Sequence, residues 1–251
     1  MLWLTLAVNA LGLGTLVWLA SRGWPGRPVD CKDMVCYCEV SGSTWWRQPV
    51  NTWSNLVPIG LSLGVAFEAS RLEASSPVRS VLRVAFPLML AFQGLGSMCF
   101  HASLTAWGAA VDAMSMFTIT GLLLTVNLVR LGTIGAVGLL GWWGALIGLG
   151  LVFGLVAPKA VSPLMLVLFL SVMASEVVAA AKGKTRSARW FRGGITLFVV
   201  GVVVWCCSAI DGMPLCWPHS PFQGHALWHT TSGLAVAAFW RHALVNLSPE
   251  A

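Results

Sequence analysis

Long apolar runs of about 20 residues dominate this chain, and short polar connections separate them. A run of this length suits an α-helix that crosses the roughly 30 Å of hydrocarbon in a bilayer. Membrane β-strands are shorter and alternate in polarity, so the runs favour helices. Hydrophobic residues make up 57% of the chain and charged residues only 10%, whereas a soluble domain carries about 25% charged residues. The sequence therefore predicts an all-α integral membrane protein.

The apolar segments number eight, and their short connections predict one helical bundle. The first segment starts without basic residues, and the bulky Trp18 stands two residues before Ala20, which makes a poor signal-peptide cleavage site. We therefore expect residues 1–20 to be a retained membrane helix or uncleaved signal anchor, ahead of an outside loop at 21–50 and a seven-helix domain at 51–246. The predicted helices are 2–20, 52–70, 80–102, 109–130, 132–156, 161–181, 190–210 and 222–245.

The basic residues indicate orientation, because short cytoplasmic loops of membrane proteins are enriched in Lys and Arg. One set of connections holds ten of the 15 basic residues and the other set holds five. The net charge of +6 thus reports topology and gives no indication of nucleic-acid binding. The richer set is predicted to be cytoplasmic, with both termini inside and the loops 21–50 and 211–221 outside. The ten are Arg71, Arg79, Arg83, Arg130, Lys182, Lys184, Arg186, Arg189, Arg192 and Arg241; the five are Arg22, Arg27, Lys32, Arg47 and Lys159.

A small set of polar residues in the predicted helices forms the candidate site, because ionisable groups inside a membrane are costly and usually functional. Ser97 and His101 are four residues apart on one helical face, and His225 and His229 repeat this spacing. Asp112 follows a short turn and is predicted to open the next helix, where it can face His101. By the predicted topology, the histidines and the aspartate lie near the outer ends of their helices, at one depth.

Three imidazoles at one depth predict a zinc site, because zinc favours tetrahedral nitrogen coordination and its catalytic sites keep a fourth position open. Zinc held by neutral ligands activates water near neutral pH. Asp112 would then accept a proton from the water and pass it to a leaving group. Ser97 would donate a hydrogen bond to a developing oxyanion.

Spacing alone leaves structural alternatives open for each of these residues. The histidines can bridge helices through hydrogen bonds, Asp112 can cap its helix, and Ser97 can bond to a carbonyl of its own helix. The two remaining histidines are predicted to lie away from the site, with His219 in a loop and His242 at the cytoplasmic interface.

Four stretches taken together carry a resemblance to a known family. They are QPVNTWSNLVPIG (48–60), SMCFHAS (97–103), Asp112 and HALWH (225–229). In this order they resemble the alkaline ceramidase family, which shares a superfamily with the progestin and adipoQ receptors and with GPI-remodelling membrane hydrolases. The resemblance spans residues 36 to 233, and the first apolar segment lies outside it.

The resemblance implies a seven-helix intramembrane zinc amidase that cleaves ceramide to a sphingoid base and a fatty acid. Its zinc ligands fall on His101, His225 and His229, and its catalytic aspartate and serine fall on Asp112 and Ser97. These are the residues that spacing selects. The implied partners are a ceramide-like substrate and membrane lipids, with the zinc site toward the non-cytoplasmic side.

Four cysteines lie in the predicted outside loops, where the compartment permits disulfides. Cys31, Cys36 and Cys38 belong to the first loop and Cys216 to the last. The resemblance implies a disulfide between Cys38 and Cys216, and Cys31 and Cys36 are candidates for a second bridge.

The acidic loop that binds calcium in eukaryotic members of the resembling family is only partly present. Glu39 is kept as a possible calcium ligand, but the flanking acidic positions fall on Cys36 and Gln48. Calcium needs several oxygen ligands, so calcium regulation is doubtful. The polar residues Asn51, Ser54 and Asn55 are interpreted as capping or bridging helices.

Three classes of function fit a membrane bundle of this kind. A zinc hydrolase of lipid amides is favoured by the complete set of serine, aspartate and three histidines. A lipid receptor or sensor with the same zinc site, or a lipid ester hydrolase, is the alternative. The third class is a transporter or a light-driven protein. The light-driven version is disfavoured because the last predicted helix has no lysine for a retinal Schiff base.

Overall fold

The structure is a computed structural model that describes residues 1–29, 37–42, 45–73 and 75–247. All regular secondary structure in these ranges is helical, and one isolated β-bridge joins Pro28 to Thr105. The α-helices are α1 Leu2–Arg22, α2 Pro49–Ser54, α3 Leu56–Ser70, α4 Pro77–Ser103, α5 Ala106–Arg130, α6 Ala136–Val156, α7 Val161–Ala181, α8 Arg189–Ser208 and α9 Gly224–Asn246, with a 3-10 turn, Pro158–Ala160, before α7.

Each predicted segment corresponds to a helix, except that segment 52–70 forms the pair α2 and α3. The break falls at Asn55, three residues before Pro58. Proline has no amide hydrogen and its ring clashes with the carbonyl four residues earlier, which here is that of Ser54. The kink is therefore a direct consequence of the sequence.

Six of the described helices are long and apolar enough to cross a membrane, namely α1, α4, α5, α6, α7 with its preceding turn, and α8. The helix α3 has only 15 residues, and α9, with 23 residues, carries the polar side chains of the candidate site. The protein is thus a multi-pass, all-helical chain, and the seven-helix domain with one additional N-terminal membrane helix remains a prediction.

The helices α4 and α5 form the centre of the bundle. In the most apolar stretch of α4 and of α5, 67% of the residues are buried, whereas the corresponding share in α6 and in α8 is 17%. The outer helices expose valine, leucine and tryptophan, as expected for surfaces that contact lipid tails. The last two turns of α4, which carry Ser97 and His101, are buried throughout.

Close packing of α4 against α5 depends on two glycines. A Cβ atom on Gly96 would lie 3.2 Å from the carbonyl oxygen of Val111, and one on Gly108 would lie 2.7 Å from Ser103 Oγ. Small residues at such contacts allow helix backbones to approach closely. The two helices are joined by a turn of only Leu104 and Thr105.

The loops predicted to lie outside meet at one end of the bundle. The amide of Val29 donates to the Leu104 carbonyl at 2.9 Å, which places the first loop on the turn between α4 and α5. The amide of Arg47 donates to the Ala102 carbonyl at 3.0 Å. This end contains the candidate site.

A disulfide links the first of these loops to the last. Cys38 and Cys216, which are 178 positions apart, are bonded to each other. The structure therefore contains the bridge that the resemblance implied. Cys31 and Cys36 lie outside the described residues, so a second bridge stays a prediction.

The opposite end of the bundle holds a buried polar network between α5, α7 and α9. Arg130 is paired with Glu176, and Nε2 of His242 lies 3.1 Å from Glu176 Oε2. Asn246 contacts both His242 and the backbone of Ser187. His242, predicted at an interface, is thus a buried member of this network.

We predict that this opposite end faces the cytoplasm, because ten basic residues were assigned to its connections and five to the others. A reporter fused after Leu247 should therefore read out from the cytoplasm. A fusion placed after Trp217, in the last outside loop, is the matched control and should read out from the other side. A reporter after Leu247 that is active only outside would reverse the assignment and move the candidate site to the other leaflet.

Candidate metal centre

Three histidine rings converge at the loop-covered end of the bundle. Nε2 of His225 lies 3.0 Å from Nε2 of His101 and 3.1 Å from Nε2 of His229. All three side chains are buried, at 0–4% exposure. Among the described residues they form the one group of three or more His, Cys, Asp or Glu whose atoms are close enough to hold a metal ion.

The helices explain why these rings meet. His101 lies in the last turn of α4, while His225 and His229 occupy the first two turns of α9 and point to the same side. The sequence interpretation that these histidines share one depth is consistent with this arrangement. Neighbouring ring centroids are 4.5–5.0 Å apart.

Ser97 and Asp112 border the three rings. Ser97 Oγ lies 3.2 Å from Nε2 of His229, so its hydroxyl reaches across the bundle to a candidate ligand. The Asp112 side chain is a neighbour of Ser97. Both predicted catalytic side chains therefore lie beside the point where the histidine nitrogens converge.

One detail of the Asp112 prediction was wrong. The helix α5 begins at Ala106, and its N-cap is Thr105, whose side chain accepts a hydrogen bond from the amide of Gly108. Asp112 therefore lies in the second turn and does not open or cap the helix. The sequence signal was ambiguous because Thr105 is also a good N-cap residue.

Three residues at the site were missed or undervalued by sequence reasoning. Nδ1 of His101 lies 2.8 Å from Gln48 Oε1, and Nδ1 of His229 lies 2.7 Å from Ser54 Oγ. Tyr37 stacks on His225 with ring centroids 3.7 Å apart. The only available signal was indirect, since Tyr37 is the single tyrosine of the chain and the polar run around Ser54 is conspicuous.

Tyr37 has an unusual backbone conformation. Tyr37 has φ of 63°, which is uncommon for a residue with a side chain and is found most often where surrounding structure enforces it. Burial, and to a smaller extent the charge of Asp112, raise the pKa of the Tyr37 hydroxyl, so this group stays neutral. Its ring covers His225 from the side of the loops.

The Glu39 side chain is bound by the backbone at the start of α2. Its carboxylate accepts hydrogen bonds from the amides of Val50 and Asn51 at 2.7 and 2.8 Å, which satisfies the first amides of α2. Burial raises the pKa of Glu39, and these two hydrogen bonds oppose the shift. The contacts explain a buried acid at this position without a bound cation.

The three nitrogens fit a tetrahedral metal such as zinc. With metal–nitrogen bonds of about 2.0–2.1 Å, tetrahedral geometry separates neighbouring ligands by about 3.3 Å. The observed Nε2 separations of 3.0 and 3.1 Å are close to this value. Three buried rings with their Nε2 atoms facing one another are therefore suited to hold one metal ion, although the arrangement does not identify the metal.

The sequence matches a known protein family over most of its length. A family model described as Ceramidase matches residues 43–246, which is most of the chain. The chain belongs to the ceramidase family. The resemblance seen in the sequence is thus confirmed, and the matched range includes every residue of the candidate site except Tyr37 and Glu39.

Membership in the ceramidase family implies a hydrolase and suggests ceramide as the type of substrate. No curated protein matches this sequence closely enough to serve as a relative. The ceramidase-family range starts within the first loop and ends at the last residue of α9, so α1 lies outside it.

Proposed function

We propose that the chain is an intramembrane zinc-dependent amidohydrolase that cleaves ceramide, or a related lipid amide, to a sphingoid base and a fatty acid. The observation that carries this proposal is the convergence of three buried histidine Nε2 atoms beside Ser97 and Asp112. The ceramidase-family match supplies the substrate class. A structural role for the histidines would not require a serine and an acid at the same point.

In this proposal His101, His225 and His229 hold the zinc ion through their Nε2 atoms. Zinc supplies a Lewis acid that activates water near neutral pH and polarises a carbonyl group. Three neutral ligands leave the full charge of the ion available for this purpose. The surrounding burial excludes bulk water and strengthens electrostatic interactions at the centre.

Asp112 acts as the proton carrier. Its carboxylate lies beside the proposed metal position without belonging to the three-histidine group, so it is free to accept a proton from the attacking water. The same proton is then delivered to the leaving amine. Amide cleavage needs this step, because an amine anion is a very poor leaving group.

Ser97 orients and stabilises the substrate carbonyl. Its hydroxyl points toward the centre from α4, one turn before His101. A donor placed there stabilises the negative charge that develops on the carbonyl oxygen. A ceramide molecule would reach this position from the bilayer, with its amide at the depth of the histidines.

A panel of lipids tests the proposed reaction. Purified protein should release sphingoid base and fatty acid from ceramide, as measured by mass spectrometry, and His229→Ala protein should not. An ester analogue of ceramide distinguishes amide from ester specificity. Hydrolysis of the ester alone would support the lipid esterase alternative, and binding of ceramide without any product would support a sensor.

Ser97→Ala should lower ceramide turnover by up to about 10³-fold, because the reaction loses one oxyanion donor. The metal content should stay near that of the unmodified protein, since the histidines are intact. Ser103→Ala is the matched control, because Ser103 is a buried serine of the same helix that bonds to Thr105 in the turn. Unchanged turnover in the Ser97 variant would remove Ser97 from the mechanism.

A further inference from the structure

Two polar residues at the ends of the short helix α2, its N-cap Gln48 and its last residue Ser54, contact the Nδ1 atoms of two candidate ligands. The geometry points to Gln48 and Ser54 as positioning residues, which fix the proton positions on His101 and His229 so that each ring presents an unprotonated Nε2 to the metal. This inference rests on the proposed zinc site, and it concerns how the protein prepares the ligands. Each of these two residues links a backbone carbonyl group to one histidine through two hydrogen bonds. Because the carbonyl can only accept, it determines the direction of both hydrogen bonds.

The first chain runs from Glu39 through Gln48 to His101. Gln48 Nε2 donates to the Glu39 carbonyl oxygen at 2.9 Å, and a carbonyl can only accept, so the amide nitrogen must face Glu39. The amide oxygen then faces Nδ1 of His101 at 2.8 Å. Because this oxygen also can only accept, Nδ1 carries the proton and Nε2 of the neutral ring has a lone pair.

The second chain runs from Asn51 through Ser54 to His229. The Ser54 hydroxyl donates its single proton to the Asn51 carbonyl at 2.9 Å. Ser54 Oγ therefore acts as an acceptor toward Nδ1 of His229, which lies 2.7 Å away. Nδ1 must carry the proton, so Nε2 of His229 also presents a lone pair.

The two lone pairs point at one place, and this explains why a cation belongs there. Nε2 of His225 is 3.0 Å from one of these nitrogens and 3.1 Å from the other. A single proton on Nε2 of His225 can satisfy only one of the two facing lone pairs, whereas a metal ion between the three nitrogens satisfies both. The third ring is held differently, by stacking of Tyr37, and its buried Nδ1 has no hydrogen-bond partner among the described residues.

Gln48 is fixed firmly enough to act in this way. It is 1% exposed, its amide donates to the His101 carbonyl at 3.0 Å, and its carbonyl accepts from the amide of Thr52 at 2.8 Å. The carboxylate of Glu39 holds the first turn of α2 in addition. Outer hydrogen bonds to ligating histidines typically change metal affinity by about 10–100-fold when they are removed.

Two substitutions of Gln48 separate its acceptor role from its structural role. Gln48→Met and Gln48→Glu both lose the amide donor to Glu39, but only glutamate keeps an oxygen acceptor for His101. We expect Gln48→Met to bind Zn²⁺ about 10–100-fold more weakly in a chelator competition, whereas Gln48→Glu stays much closer to the unmodified protein. The visible spectrum of bound Co²⁺ gives a second readout of ligand geometry that does not depend on activity.

Ser54→Ala tests the second chain in the same assay. It should also weaken Zn²⁺ binding about 10-fold or more, because Nδ1 of His229 loses its acceptor. Ser62→Ala is the matched control, since Ser62 also donates to a carbonyl three residues earlier but accepts from Asn9 and not from a histidine. Formation of the Cys38–Cys216 disulfide in each variant serves as the check that the loop has folded.

The outcomes separate this inference from the proposed function. If His229→Ala loses Zn²⁺ while folded Gln48→Met and Ser54→Ala bind it with unchanged affinity, the positioning role is wrong and the zinc site stands. Equal losses in Gln48→Met and Gln48→Glu would likewise reject the acceptor role and leave a purely structural one. If His229→Ala itself binds Zn²⁺ normally, the zinc site is wrong.

Discussion

His229→Ala should yield a protein that contains little zinc and does not hydrolyse ceramide. The substitution removes an Nε2 atom that lies 3.1 Å from Nε2 of His225, and it also removes the contact of Ser54 Oγ with Nδ1 of His229. Lewis-acid catalysis contributes several kcal/mol, and a loss of about 4 kcal/mol corresponds to roughly a thousandfold in rate. Elemental analysis of purified protein and single-turnover hydrolysis measure the two effects separately.

His219→Ala is the matched control for that experiment. His219 is an exposed histidine of the last loop and lies outside the three-histidine group. We expect the zinc content and the ceramide turnover of the His219→Ala protein to equal those of the unmodified protein. An unchanged zinc content in His229→Ala would show that His229 is not a ligand, and the proposed mechanism would then lose its metal.

Asp112→Asn should retain zinc and lose ceramide turnover by about 10²–10⁴-fold, which is the usual scale of general acid–base catalysis. Asparagine has almost the same shape as aspartate but cannot accept and return a proton at this position. Metal content stays because the candidate ligands are the three histidines. The combination of full metal and low turnover distinguishes a proton carrier from a ligand.

Asp211→Asn is a suitable comparison for Asp112→Asn, because Asp211 is exposed and accepts a hydrogen bond from the adjacent Gly212. Its turnover should not change. Normal hydrolysis by Asp112→Asn would exclude Asp112 as the proton carrier. Loss of zinc from the same variant would instead indicate that the carboxylate coordinates the metal.

The helices were largely predictable because apolar runs of this length have few alternatives in a membrane. Local rules failed at two points. Pro58 divides the second segment into α2 and α3, and Thr105 caps α5 so that it begins at Ala106, three residues before the predicted start at residue 109. Both features follow from residues that were visible in the sequence, but their effects compete with hydrophobic periodicity.

The candidate ligands were predictable for a different reason. His225 and His229 share a helical face by spacing, and the predicted topology places His101 at the same depth. The resemblance then assigned the same three histidines as ligands. The hydrogen bonds of Gln48 and Ser54 were not predictable, because they depend on how α2 and the residue before it pack against the ends of α4 and α9. Gln48 is 53 residues away from His101 in the sequence, and Ser54 is 175 residues away from His229. Contacts over such separations leave no local sequence pattern.

A disulfide and several hydrogen bonds connect the first loop, α2 and the candidate site at the loop-covered end of the bundle. The disulfide between Cys38 and Cys216 fixes the loop next to Glu39, and Glu39 in turn holds α2 and contacts Gln48. A chain of covalent and hydrogen bonds thus runs from the loop surface to His101. A helix of only six residues, α2, thereby connects the first loop to the candidate ligands on α4 and α9.

A zinc titration of metal-free protein tests the central claim most directly. The protein is stripped of metal with a chelator, Zn²⁺ is returned in steps, and the release of sphingoid base from ceramide is measured at each step. The account predicts no hydrolysis without metal and a linear rise that ends at one Zn²⁺ per chain. Full ceramide hydrolysis by the metal-free protein, or no hydrolysis once one Zn²⁺ per chain is bound, would contradict it.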